Sequence, residues 1–154
     1  MDVFTDGNLL ARILITLATL GYAFITVLAD FNATHASNPT WTPHARFHVV
    51  WQISSYCGLG LIALALIWAP GPYPIARLYL ACAFAAVVYG AFFVALFTMP
   101  IYGGRTYDDN GYLPFRAPLG VSKRLWDVNI TAFTASSIVL IAGVLSVGSG
   151  ATAG

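Results

Sequence analysis

With 154 residues, 58% of them hydrophobic and only 8% charged, the chain is too poor in charge to cover a soluble surface, since soluble domains are about one-quarter charged. Its length suits one domain over 1–154, and a net charge of +1 offers nucleic acid nothing to bind. Cys57 and Cys82 lie in separate apolar runs with no CxxC spacing, so they are expected as packing thiols rather than a redox pair.

The bilayer is therefore the expected solvent. Four apolar segments, at about 9–29, 47–68, 75–99 and 128–147, each hold the roughly 20 residues that a membrane-crossing helix needs. Unpaired backbone groups have no partner in lipid, which excludes open strands. The predicted fold is all-α, a four-helix transmembrane bundle.

The segment ahead of the first span, MDVFTDGN, is acidic and no cleavage signature follows, so no secretory signal is expected. Arg12 in span 1 and Arg77 in span 3 sit near span ends, where long side chains snorkel to headgroups. Span 1 runs out at Asp30. An acid at a helix C-terminal end opposes the helix dipole, so Asp30 needs a partner such as Arg46. The sequence FNATH follows and carries His35.

Span 2 opens with WTPHARFHVVWQ, residues 41–52. Thr42 suits an N-cap and Pro43 the first helical position, so the helix should start ahead of the hydrocarbon. His44 and His48 are four apart and share a face. Gln52, Ser55 and Tyr56 continue the row. A polar stripe facing lipid is costly, so it is expected to line an interior pocket. Near the positive end of the helix dipole, His48 is expected as the neutral imidazole, the form that ligates metals or haem iron. Arg46 lies nearly opposite the two histidines around the helix.

The turn at 69–74, APGPYP, separates spans 2 and 3, and Pro100 is expected to close span 3. Small residues in spans 3 and 4 allow close helix approach, within or between protomers. The 28-residue connection 100–127 is long, and its tyrosines, prolines and glycines suggest a structured cap over the bundle mouth. Asp127 begins span 4, with Thr131 and Thr134 after it on its face. The C-terminal GSGATAG is expected as a flexible tail.

Four spans put both termini on one side. The other side holds Arg46, Arg105, Arg116, Lys123 and Arg124, five of the seven basic residues, and all three histidines. The positive-inside rule assigns that side to the cytoplasm and the termini outside it. The sequence Asn32-Ala33-Thr34, a glycosylation acceptor pattern, is discounted for that reason.

Four spans in this length, with Ala45-Arg46-Phe47-His48 opening the second, resemble the bacterial styrene oxide isomerases. The resemblance implies a bacterial inner-membrane protein, a homotrimer, with haem b held by His48 as axial ligand. The open axial position would take an epoxide oxygen, and iron would act as a Lewis acid toward a carbonyl product. Two positions depart from that family: Ser54 stands where it has an asparagine, and Phe93, with Tyr89 a turn earlier, where it has a pocket tyrosine.

The leading expectation is a membrane isomerase for a small lipophilic molecule entering from the bilayer. His48 would hold haem or a divalent metal ion, with His44, Arg46, His35 and Asp30 as further cofactor or metal contacts. Gln52 or Tyr89 would orient the substrate, and Asp127 or Asp30 would fix a histidine through its second nitrogen. One alternative is a cofactor-free acid/base lipid isomerase using His48, Asp30 and Asp127. Another is a non-enzymatic subunit or assembly factor of a membrane complex. A transporter is not expected, because no inverted repeat or mid-membrane charge pair is apparent.

Overall fold

The computed structural model describes residues 7–118 and 124–148. The acidic N-terminal segment through residue 6, Lys123 and the tail from 149 lie outside these residues. Four helical spans form the bundle, each long and apolar enough to cross a membrane. The first is α1 (Leu9–Ala23) continued by the short α2 (Ile25–Asp30), the second α3 (Pro43–Trp68), the third α4 (Pro74–Tyr102) and the fourth α5 (Val128–Ser146). The chain is a multi-pass membrane protein. Its outer surface fits that solvent, with Leu61, Val87, Val94, Phe97, Ile138 and Leu145 all exposed.

The α1 helix packs against α3, α4 and α5 and supplies the centre of the core. Ala11, Ile15, Ala18, Tyr22 and Ala23 are fully buried there. Small residues set the spacing. Gly60 of α3 meets α1 so closely that an added Cβ would lie 2.3 Å from the Ala23 Cβ. Only part of the small-residue content of span 3 works inward. Ala81 and Ala85 are buried, whereas Ala83, Ala86, Gly90 and Ala91 lie on the outer face.

Arg12 does not snorkel. It is 3% exposed and donates to the Ile67 carbonyl at the end of α3. Arg77 donates to Ala65 O at 2.8 Å. Both cations thus meet the negative end of the α3 dipole, Arg77 at a carbonyl that also accepts from Ala69 N.

Helix boundaries follow local chemistry. Thr42 caps α3 by accepting from Ala45 N at 3.2 Å, with Pro43 in the first turn. Pro100 does not end span 3: α4 runs through it to Tyr102. A proline two residues from the end removes only one backbone bond, and the left-handed Gly103 (φ 66°) makes the stop instead. At the other end of α4, Tyr73 holds φ 57°, which costs a side-chain-bearing residue about 1–2 kcal/mol. Tyr73→Gly should raise stability by roughly 0.5–1 kcal/mol net of glycine's greater unfolded entropy, measured by thermal unfolding in detergent.

The connections at the mouth are ordered by side-chain amides. Asn38 is fully buried. Its Nδ2 donates to Thr34 O at 2.8 Å, and its Oδ1 accepts from Thr40 N at 3.0 Å. It also exchanges two hydrogen bonds with Asn110, at 3.2 and 2.9 Å. The Trp41 indole donates to Asp108 Oδ2 at 2.7 Å, and the Tyr112 hydroxyl to Ala29 O at 3.2 Å. The 103–112 segment is therefore pinned over the end of span 1, as a cap. It continues into a small antiparallel pair, β1 (Phe115–Arg116) with β2 (Leu125–Trp126). Asn38→Ala would strand the Asn110 amide and should cost about 2–4 kcal/mol. Limited proteolysis within 103–112 should accelerate accordingly.

Candidate functional site

The expected stripe on α3 does not face one way. Each four-residue step overshoots a full turn by about 40°, so a row from His44 to Tyr56 winds about 120° around the helix. Tyr56 reaches the bundle, edge-on to Tyr22 at 6.2 Å between ring centres. His44 and His48 are exposed on the outer face, beside Phe47 and Trp51. Ser54 and Ser55 bond back to their own helix, at Val50 O and Trp51 O. Gln52 donates to the Tyr56 hydroxyl at 3.2 Å and lines a cavity.

That cavity belongs to a pair at the bundle mouth. The inner one, about 270 Å³, lies among Asp30, Gln52, Phe92, Leu96, Met99 and Phe133. The outer one, about 350 Å³, lies under the cap against Tyr107, Asp108 and Tyr112. His35, Trp41, Arg105, Thr106 and Asn129 line both. Two chambers of mixed lining thus meet across a wall that contains a histidine.

The chemistry of that wall follows from a short hydrogen-bond chain. Asn32 Nδ2 donates to Ala29 O at 2.8 Å, which turns Oδ1 into the acceptor end. Asn32 Oδ1 then accepts from Thr34 N at 2.8 Å and from the Thr34 hydroxyl at 2.6 Å. When the Thr34 hydroxyl gives its one hydrogen to Asn32 Oδ1, its oxygen is left to accept from His35 Nδ1, 2.7 Å away. With Asp30 Oδ1 also facing Nδ1, that arrangement favours the neutral tautomer with its proton on Nδ1 and a lone pair on Nε2. Asp30 Oδ1 lies 3.6 Å from Nδ1. It is placed to stabilise an imidazolium. Trp41 packs edge-on against the ring at 5.3 Å, and Tyr112 lies near-parallel at 6.3 Å.

Other expected site residues fall elsewhere. Asp30 pairs with His35 rather than Arg46, because FNATH folds back on the end of α2. Tyr89 is 3% exposed and donates to Ala18 O at 2.5 Å, sealed in the core by Tyr22 and Phe133. It lines neither mouth cavity. Asp127 caps α5 by accepting from Ile130 N at 2.9 Å, while its other oxygen accepts from Thr106. With Thr131 and Thr134 it faces an outer groove. Arg46 is half-buried on α3. Thr34, Asn32, Trp41 and Arg105 carry or surround the site, although the sequence placed none of them there. The Asn-x-Thr-His spacing after an acid was the available signal, since Asn side chains favour such turns.

In the single chain His48 lies on the outer face of the bundle, away from both mouth cavities. Its Nε2 faces His44 Nε2 at 3.0 Å, the position that an axial iron would need. Both rings point away from the bundle. Among the described residues, no group of three or more His, Cys, Asp or Glu is arranged to hold a metal ion.

Residues 14–146 match the model of a family of unknown function (DUF6640), and the chain belongs to that family. No curated protein and no solved structure matches it.

Proposed function

We propose that this member of a family of unknown function is a membrane-embedded isomerase that moves a proton within a small lipophilic substrate, with His35 as the transferring group. The observation that carries this reading is a cavity-lining His35 whose Nδ1 is met by Thr34 at 2.7 Å and faced by Asp30 at 3.6 Å, which favours the tautomer with the lone pair on Nε2. A base held in its reactive tautomer by one partner, with a carboxylate beside it, is the usual arrangement for proton abstraction. Isomerisation retains every atom of the substrate and needs no second reactant, which suits the small inner cavity. The substrate's apolar body would rest among Phe92, Leu96, Met99 and Phe133, with Gln52 orienting its polar group. Access from the bilayer follows from the lipid-facing exterior. Asp30 would hold the imidazolium until the proton is returned.

Haem at His48 plays no part in these steps. Assembly as a homo-oligomer, a trimer by the resemblance, would cover outward small residues of α4. The mouth would face the cytoplasm of a bacterial inner membrane, since the basic residues gather there.

The test is turnover by protein reconstituted in liposomes, using aryl epoxides and unsaturated sterol-like lipids in heavy water. Mass spectrometry should find an isomer carrying solvent deuterium, and His35→Asn should abolish it. Conversion that survives this variant sinks the reading. A subunit role without catalysis would instead give no conversion with either protein.

A further inference from the structure

The two histidines of α3 lie outside the mouth cavities, yet their geometry is specific. Their Nε2 atoms are 3.0 Å apart, with ring centres at 4.5 Å and planes at 89°. Two nitrogens cannot approach this closely with lone pairs opposed, so one ring donates its hydrogen to the other. The same separation suits a shared metal ion. Two metal–nitrogen bonds of about 2.0–2.1 Å put their nitrogens ~2.9 Å apart at a right angle and ~3.4 Å apart at the tetrahedral angle. The observed distance falls at the right-angle end of that range, the cis geometry of square-planar or octahedral ions.

We propose that His44 and His48 form a two-nitrogen chelate for a divalent late transition-metal ion on the outer face of the bundle. The metal displaces the shared hydrogen and sits off the Nε2–Nε2 line, at the apex of the right angle, after small rotations of the rings. The donating ring moves its proton from Nε2 to Nδ1 through water, so both rings stay neutral and no net proton is released. The helical backbone fixes the pair, because side chains four apart stand one above the other. Phe47 packs against both rings, and Trp51 lies 5.8 Å from His48, which limits their rotamers. The remaining coordination positions point outward, away from the helix, and are filled by water. This site differs from axial haem ligation, which uses one imidazole per position. It is independent of the mouth chemistry proposed above.

The experiment uses full-length protein in detergent, purified without a polyhistidine tag and titrated with Cu²⁺, Ni²⁺ and Zn²⁺ by calorimetry. Electron paramagnetic resonance of the Cu²⁺ form reads the ligands. One ion per chain is expected, tightest for Cu²⁺, with splitting from two imidazole nitrogens. His44→Ala and His48→Ala should each weaken binding at least tenfold while the circular dichroism stays helical. The double variant R46H/H48A keeps the histidine count but moves the second ring to another face, and should bind as weakly as His48→Ala. His35→Gln should bind like the wild type. Substoichiometric binding by the wild type, one-nitrogen coupling, undiminished affinity in R46H/H48A, or loss of binding in His35→Gln would each overturn the proposal.

Discussion

His35→Gln should lower kcat/KM for an isomerised substrate by about 10²–10⁴-fold, the usual contribution of a positioned acid/base group. Glutamine can still meet the Thr34 hydroxyl, so the loop should stay folded and the loss should appear in kcat. Thr34→Val removes the acceptor for Nδ1–H without removing the base. It should cost less, because Asp30 remains 3.6 Å from Nδ1. Asp30→Asn removes the charge that stabilises the imidazolium and leaves Thr34 to set the tautomer. If both residues act through His35, the double variant should lose less than the product of the two single losses. Strict multiplicativity would mean that they do not share a target.

Gly60→Val should leave little folded protein. Even the first carbon of a side chain at this position would lie 2.3 Å from the Ala23 Cβ, which has no flexible end to move aside. Accommodation requires α3 to separate from α1 by an ångström or more. Overpacking of this kind costs about 1–3 kcal/mol for alanine and more for valine. Separation would also loosen Cys57 Sγ from Ala23 O, now at 3.4 Å. The check is a rescue: Ala23→Gly combined with Gly60→Ala should recover most of the stability lost in Gly60→Ala, as read by thermal unfolding. No recovery would mean that the cost lies in the helix itself rather than in the crossing.

Much of the fold is legible along the chain. Four spans follow from hydropathy and length, and the start of α3 from Thr42 and Pro43. Pro100 misled because a proline signals a stop only when the backbone bond it removes matters, and in the last turn it hardly does. At the site, Asp30, His35 and Gln52 were in view as individual residues. Thr34 and Asn32 were in view only as a glycosylation pattern, because their importance lies in the hydrogen bonds that the turn creates rather than in residue type.

Facing could not be read from the sequence, and the reason lies in the solvent. In water, one apolar face tells which way a helix turns. In lipid both faces are apolar, so periodicity carries little of that information, and close packing of small residues decides instead. The sequence by itself determined that this chain crosses a membrane four times, with its polar chemistry gathered at one end. Tertiary structure decided which histidine meets a cavity. The loop after span 1 folds His35 in against Asp30, whereas the approach of α1 at Gly60 rotates α3 so that His44 and His48 look outward.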